Sequence, residues 1–216
     1  MALRFRRPTV LSIALALIML AIMIGLGLWQ LERRDWKAGL IATMDARLET
    51  LPAPMPADLS PEWEFRRVLV QGPVAGGQWF RFPGRSRDGE VGDALMLLVE
   101  REGGTLVAVE YGWVGFGAPL PPVPFALAVE GILRQPTDPG WFTPANNPND
   151  NAWYRVEPAE MAVAAGLDPA RVAPMYLRPS TWQPSLPNDH LQYAITWFSL
   201  AGVFCIIFLL LHRRRD

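Results

Sequence analysis

The sequence predicts a membrane α+β protein, with one transmembrane helix at each end and a mostly antiparallel β domain with a short helix between them. Three observations predict it. Two apolar runs, Val10–Trp29 and Ala194–Leu211, lie at the ends of the 216 residues. Arginine trios flank both runs on their terminal sides. Short β-rich runs punctuated by Gly and Pro fill the middle.

Val10–Trp29 is broken only by Ser12, Gly25 and Gly27, and its length of about 20 residues suffices to cross about 30 Å of hydrocarbon. It is longer than the apolar core of a signal peptide, and no Ala-x-Ala cleavage site follows it. Ala194–Leu211 carries Thr196 and Ser199, whose hydroxyls can bond back to their own helix. Arg4, Arg6, Arg7 and Arg213–Arg215 place residues 1–9 and 212–216 on the cytoplasmic side, or on the matrix side in a mitochondrion. The net charge is −1, and the six arginines with Asp216 contribute +5, so the chain between them sums to −6. That segment, residues 30–193, is the translocated, periplasmic part. The first span starts near residue 10 with no long transit region before it, which favours a bacterial inner membrane.

Within the middle segment, 31–48 continues the first helix outward, because Trp36, Leu40 and Met44 recur at helical spacing. Leu51–Pro61 holds four prolines and is expected to be an extended linker. Residues 66–177 are expected to be mostly β, with strands Arg66–Gly72, Gln78–Phe82, Asp93–Arg101, Thr105–Trp113 and Ala126–Arg134. Glu102-Gly103-Gly104 marks a hairpin, and the continuous apolar run Ala94–Val99 a central strand. Gly115–Pro124 and Pro136–Asn151 read as loops, Pro158–Ala165 as a short helix ended by Gly166, and Val172–Leu177 as a last strand.

Composition removes most catalytic classes. One Cys and two His exclude Cys-rich and multi-His metal sites, and the near-zero charge excludes a basic nucleic-acid binder. No phosphate-loop, dinucleotide, HExxH or CxxC motif is present. The chain reads as a non-enzyme.

Two segments carry the remaining information. In Pro187–Phe198, His190 stands at the outer boundary of the second span, with Tyr193, Ala194, Trp197 and Ala201 on its helix face. Asn188 and Asp189 occupy the positions of helix N-caps. Imidazole is the usual protein ligand of haem iron, so a flat apolar group could lie on this face with its metal at His190. An interfacial aromatic belt accounts for the same pattern. In Gly27–Lys37, Arg33 and Lys37 share a face that could receive haem propionates or lipid phosphates, and ordinary snorkelling at the membrane surface explains them equally.

Together these segments resemble the Surfeit-locus cytochrome oxidase assembly factors. Gly27, Trp29, Gln30, Arg33, Trp36 and Lys37 match one family pattern, and Asn188, His190, Leu191, Tyr193, Ala194, Thr196, Trp197 and Phe198 match the other. Gly112-Trp113-Val114, Gly131 with Arg134, and Phe142, Pro144, Asn146, Pro148 and Trp153 extend the resemblance through the middle. The family often has Asn-Arg before Gly-Trp-Val, where this chain has Glu110-Tyr111.

The resemblance implies assistance in assembling a haem-copper terminal oxidase, by delivering haem a from haem A synthase to the oxidase catalytic subunit. It implies His190 as the iron ligand. With that reading, Tyr193 and Trp197 would pack the ring, and Arg33 and Lys37 would face the propionates. The alternative is a membrane scaffold that binds no haem and docks an assembly intermediate through Trp79, Trp113, Trp141 and Trp153. Membrane lipid is a partner in either case, and nucleic acid is not.

Overall fold

The computed structural model describes residues 8–87, 89–182 and 186–212. It divides into two units, Met1–Thr43 with Ser185–Asp216, and Met44–Pro184. The arginine tips lie outside the described residues. Helix α1 (Val10–Leu48) is a single uninterrupted helix of 39 residues, about 58 Å long. No proline or capping residue interrupts its course from the apolar run into the amphipathic one.

The second unit is a closed barrel. Strand β1 (Ala53–Pro54) is a short parallel addition to β2 (Arg67–Arg87). The proline segment expected to be a free linker is therefore partly packed, and Met55 is buried in the core. Pro61–Trp63 forms a 3₁₀ turn. Strands β3 (Glu90–Glu100), β4 (Leu106–Gly115), β5 (Ala126–Arg134) and β6 (Tyr176–Pro179) complete the barrel. Ladders β2–β3, β3–β4, β5–β6 and β2–β5 are antiparallel, while β4–β6 is parallel. The ring of β2, β3, β4, β6 and β5 returns to β2, so five strands close on themselves. This is the arrangement of an OB-type Greek-key barrel.

The sequence reading split β2 in two at its glycines, but the strand runs through them. Arg67–Pro73 pairs with β5, and Val74–Arg87 pairs with β3. Gly76 and Gly77 take positive φ, and the register shifts between Ala75 and Phe80. The glycines bend one strand around a barrel corner instead of ending it. The last strand also begins later than expected, at Tyr176, with Val172 making an isolated bridge to Leu106.

Both faces of β3 are buried, which explains its unbroken apolar run. Leu95, Leu97 and Val99 join Val68, Val70, Val107, Val109, Leu133 and Leu177 inside the barrel. Ala94, Met96 and Leu98 face outward into a second cluster with Phe80, Phe82, Trp153 and Met161. Helix α2 (Pro158–Ala164) supplies Met161 and Ala162 to that cluster. The segment before α2 is pinned down. The Asn146 side-chain oxygen accepts from the amides of Tyr154 (2.9 Å) and Arg155 (3.0 Å), and its amide donates to Glu160 (2.6 Å).

Gly131 is required by packing. A Cβ there would meet the Arg178 carbonyl at 2.6 Å and Leu177 side-chain carbons at 2.8 Å. The obstructing oxygen belongs to the paired backbone of β6, which cannot retreat without opening the ladder. Gly131→Ala is expected to cost about 1–3 kcal/mol, read as a lowered thermal midpoint of the detergent-solubilised chain. A wild-type midpoint would show that β6 can move.

Helix α3 (His190–Leu211) pairs with α1 in the first unit. Both helices are long and apolar enough to cross a membrane. Leu17 (60%) and Ile207 (50%) are among many large apolar side chains left exposed on them. Such surface matches hydrocarbon, since lipid solvates it without cost. Gly27 is buried at the helix contact, where a Cβ would meet the Phe198 ring at 2.5 Å. Ala194 and Ala201 are the buried residues of α3. Small residues at these points let the two backbones approach closely.

Candidate functional site

Gly27, Gln30, Arg34 and Lys37 recur three or four residues apart, so they form one face of α1. Each meets α3 or the residues leading into it. Phe198 covers Gly27. His190 Nδ1 lies 2.8 Å from Gln30 Oε1. Asn188 Nδ2 donates to the Arg34 carbonyl at 3.1 Å, and Lys37 Nζ donates to the Pro187 carbonyl at 2.5 Å. Of Asn188 and Asp189, both expected at N-cap positions, Asp189 is the N-cap residue of α3, though without a side-chain capping bond. The Asn188 amide is spent on α1.

An amide oxygen only accepts, so His190 Nδ1 must carry the proton. In the neutral imidazole the lone pair then resides on Nε2, the arrangement used by metal-ligating histidines whose other nitrogen donates to a neighbour. The Asn188 side-chain oxygen is buried without a donor among the described residues. The site therefore presents a lone-pair nitrogen and an unsatisfied acceptor close together in sequence. No group of three or more His, Cys, Asp and Glu residues suited to a metal ion occurs among the described residues. A single histidine suits a metal that brings most of its own ligands, as haem iron does.

The other expected residues are placed differently from one another. Ala194 is buried against α1, Trp197 is half-buried and Tyr193 is 56% exposed. Arg33 is exposed and lies over the Trp36 ring at 4.0 Å. Lys37 has one of its three donors committed to Pro187.

The barrel has a separate feature. A cavity of about 1050 Å³ opens on its outer face, between β4, β6, the β2–β3 hairpin and the segment after β5. Arg85, Arg87, Arg134, Arg155 and Arg178 line it, against the carboxylates of Glu110 and Asp138. Arg178 binds Glu110 through two nitrogens at 2.9 and 3.3 Å. Arg134 and Arg178 both stack on Trp182, at 5.0 and 4.4 Å from the ring centre. Burial pushes the Tyr176 hydroxyl above the ordinary phenol range, against the opposing pull of Arg178 and Arg134. It is a neutral donor at physiological pH.

The SURF1 family pattern matches residues 17–202. The chain belongs to the SURF1 family. A SURF1-like protein of Monosiga brevicollis is 30% identical over 219 residues, covering 88% of this chain and 83% of that one. Surfeit locus protein 1 of Homo sapiens is 27% identical over 214 residues, covering 82% of this chain and 70% of its own length. The cytochrome oxidase assembly protein SHY1 of Saccharomyces cerevisiae is 28% identical over 167 residues, covering 70% and 43%.

Two segments carry the SURF1 resemblance at the chain ends, and they meet across as many as 160 residues of sequence, through Gln30 and His190. The sequence reading placed both segments but gave Gln30 no role. It also read Trp79 and Trp153 as docking surface. They are 5% and 1% exposed and belong to the core, whereas Trp141 stands clear of the fold at 101%. The arginine cavity was missed, because its lining comes from six separate stretches of chain. Glu110 proves to be the partner of Arg178.

Proposed function

We propose that this chain is a membrane-anchored assembly factor for a haem-copper terminal oxidase, holding haem a as cargo at His190 for delivery to the catalytic subunit. Membership of the SURF1 family and the likeness to a protein named for cytochrome oxidase assembly support the first part. One observation carries the second: the Gln30 oxygen on His190 Nδ1, which leaves Nε2 as the coordinating atom. The cargo would bring its own iron and ring nitrogens, and His190 would hold it through one imidazole nitrogen. Tyr193 and the half-buried Trp197 offer aromatic surface to the ring. Arg33 and the remaining donors of Lys37 offer charge to its propionates. The role is non-catalytic. α1 and α3 cross the inner membrane of a bacterium, with both termini cytoplasmic and the barrel periplasmic.

The test is the visible spectrum of the protein purified after co-expression with haem A synthase. A haem a signal in proportion to protein, and co-purification of the oxidase catalytic subunit, are expected. Subunit capture without any haem signal would support the second reading, a scaffold that binds no haem. Trp141 and Phe142, at 101% and 97% exposed, favour that reading as a docking point.

A further inference from the structure

We propose that the cavity on the outer face of the barrel receives an extended acidic segment of a partner polypeptide. The charge distribution points to an anionic occupant. Residues 44–184 contain eleven arginines, no lysine and seventeen carboxylates, a net of −6. Five of those eleven arginines gather in one cavity lined by two carboxylates, and Arg134 and Arg155 also meet Glu64 and Glu157 at 3.4 Å, which still leaves a net positive charge. A net positive concavity inside an acidic domain focuses its field on a local cluster of negative charge.

The position has a physical precedent. In OB-type barrels, chain-like ligands lie on the face of the second and third strands between the first hairpin and the connection of the last two strands. Here those elements are β3, β4, the β2–β3 hairpin and the residues between β5 and β6, and all four line the cavity. The Trp113 indole nitrogen, part of the lining, is buried without an acceptor among the described residues. Arg178 and Arg134 are held against Trp182, so their planar donors are oriented in advance for carboxylates.

A polynucleotide fits less well. Its charge recurs at every phosphate, so a strand leaving the cavity would run over the acidic remainder of the domain. A peptide with a few clustered carboxylates need not do so. Arg178 is meanwhile occupied by Glu110, so an incoming carboxylate competes with one of the protein's own. Glu110 is thus a built-in competitor, and removing its charge strengthens binding. This site is independent of His190.

The experiment measures fluorescence anisotropy of a labelled hexaglutamate peptide with the full-length chain in neutral detergent. Hexalysine and a twelve-residue oligothymidylate are the comparison probes. Saturable hexaglutamate binding is expected, weakened about tenfold by the exposed pair Arg85→Ala/Arg87→Ala and by Arg178→Ala. Glu110→Gln is expected to tighten binding, and His190→Ala to leave it unchanged. Because Arg178→Ala could perturb β6, the exposed pair and the gain in Glu110→Gln decide the matter. Equal affinity in all variants, no saturable binding, or tighter binding of oligothymidylate through the same arginines would overturn the proposal.

Discussion

Haem a bound to the co-expressed protein is expected to fall to background in His190→Ala. The imidazole stands at the start of α3, where the Gln30 oxygen at 2.8 Å fixes its proton on Nδ1 and leaves Nε2 as the lone-pair nitrogen. On the proposed reading, removing it would remove the bond to the iron, whereas Tyr193 and Trp197 would offer only ring contact. Gln30→Ala is the graded companion. It leaves the ligand in place but releases its orientation, and losses of a supporting partner typically cost about 10–100-fold in metal affinity. The expected order of haem retention is wild type, then Gln30→Ala, then His190→Ala. Neither substitution touches Gly27 or Phe198, so the close approach of α1 and α3 persists. An unchanged haem a spectrum in His190→Ala would falsify the ligand assignment.

Trp153→Ala is expected to destabilise the chain by about 3–5 kcal/mol, the usual range for deleting a large buried aromatic side chain. The ring is 1% exposed and meets Phe80 edge-on, with centroids 5.3 Å apart and planes at 78°. Its indole nitrogen donates to Asn151 Oδ1 at 3.0 Å, and its amide donates to the Arg81 carbonyl at 2.8 Å. Asn151 in turn donates to the Trp79 carbonyl at 2.9 Å. Trp153 thereby fastens the segment after β5 to the outer face of β2 and β3. Trp141→Ala, at a fully exposed side chain, is the control and should change stability by no more than about 0.5 kcal/mol. Thermal unfolding of the detergent-solubilised protein measures both. A shift in Trp153→Ala as small as in Trp141→Ala would show that this segment does not hold the second cluster together.

The contrast between these tryptophans marks where sequence reasoning stops. Trp79, Trp141 and Trp153 look alike in a sequence, and only the fold decides which one faces solvent. Local patterns were legible. The run Ala94–Val99 announced a strand buried on both faces, and Gly103 and Gly104 do take the positive φ of the expected hairpin. The short helix before Gly166 and the two apolar helices also follow from local spacing. Barrel closure was not legible, because it depends on β2 serving two ladders and β6 joining β4 from far along the chain. The same distinction holds at the candidate site. His190 was marked by its place at the start of an apolar helix, but its partner Gln30 lies 160 residues away. The cavity arginines gave no cluster in sequence for the same reason.

The parallel β4–β6 pair, in which Val109 meets Leu177, has a consequence for how the domain comes into being. Strands β2, β3 and β4 can form hairpins as soon as they are made. The outer edge of β4 then stays open until Tyr176–Pro179 follows, about seventy residues later. At about 5–20 residues per second this delay lasts several seconds. Until residue 161 has been made, the apolar run of β3 also lacks the cap supplied by Trp153 and Met161. The nascent domain is thus most prone to aggregate in the second half of its synthesis, and truncation before β6 should leave it sticky rather than merely shorter.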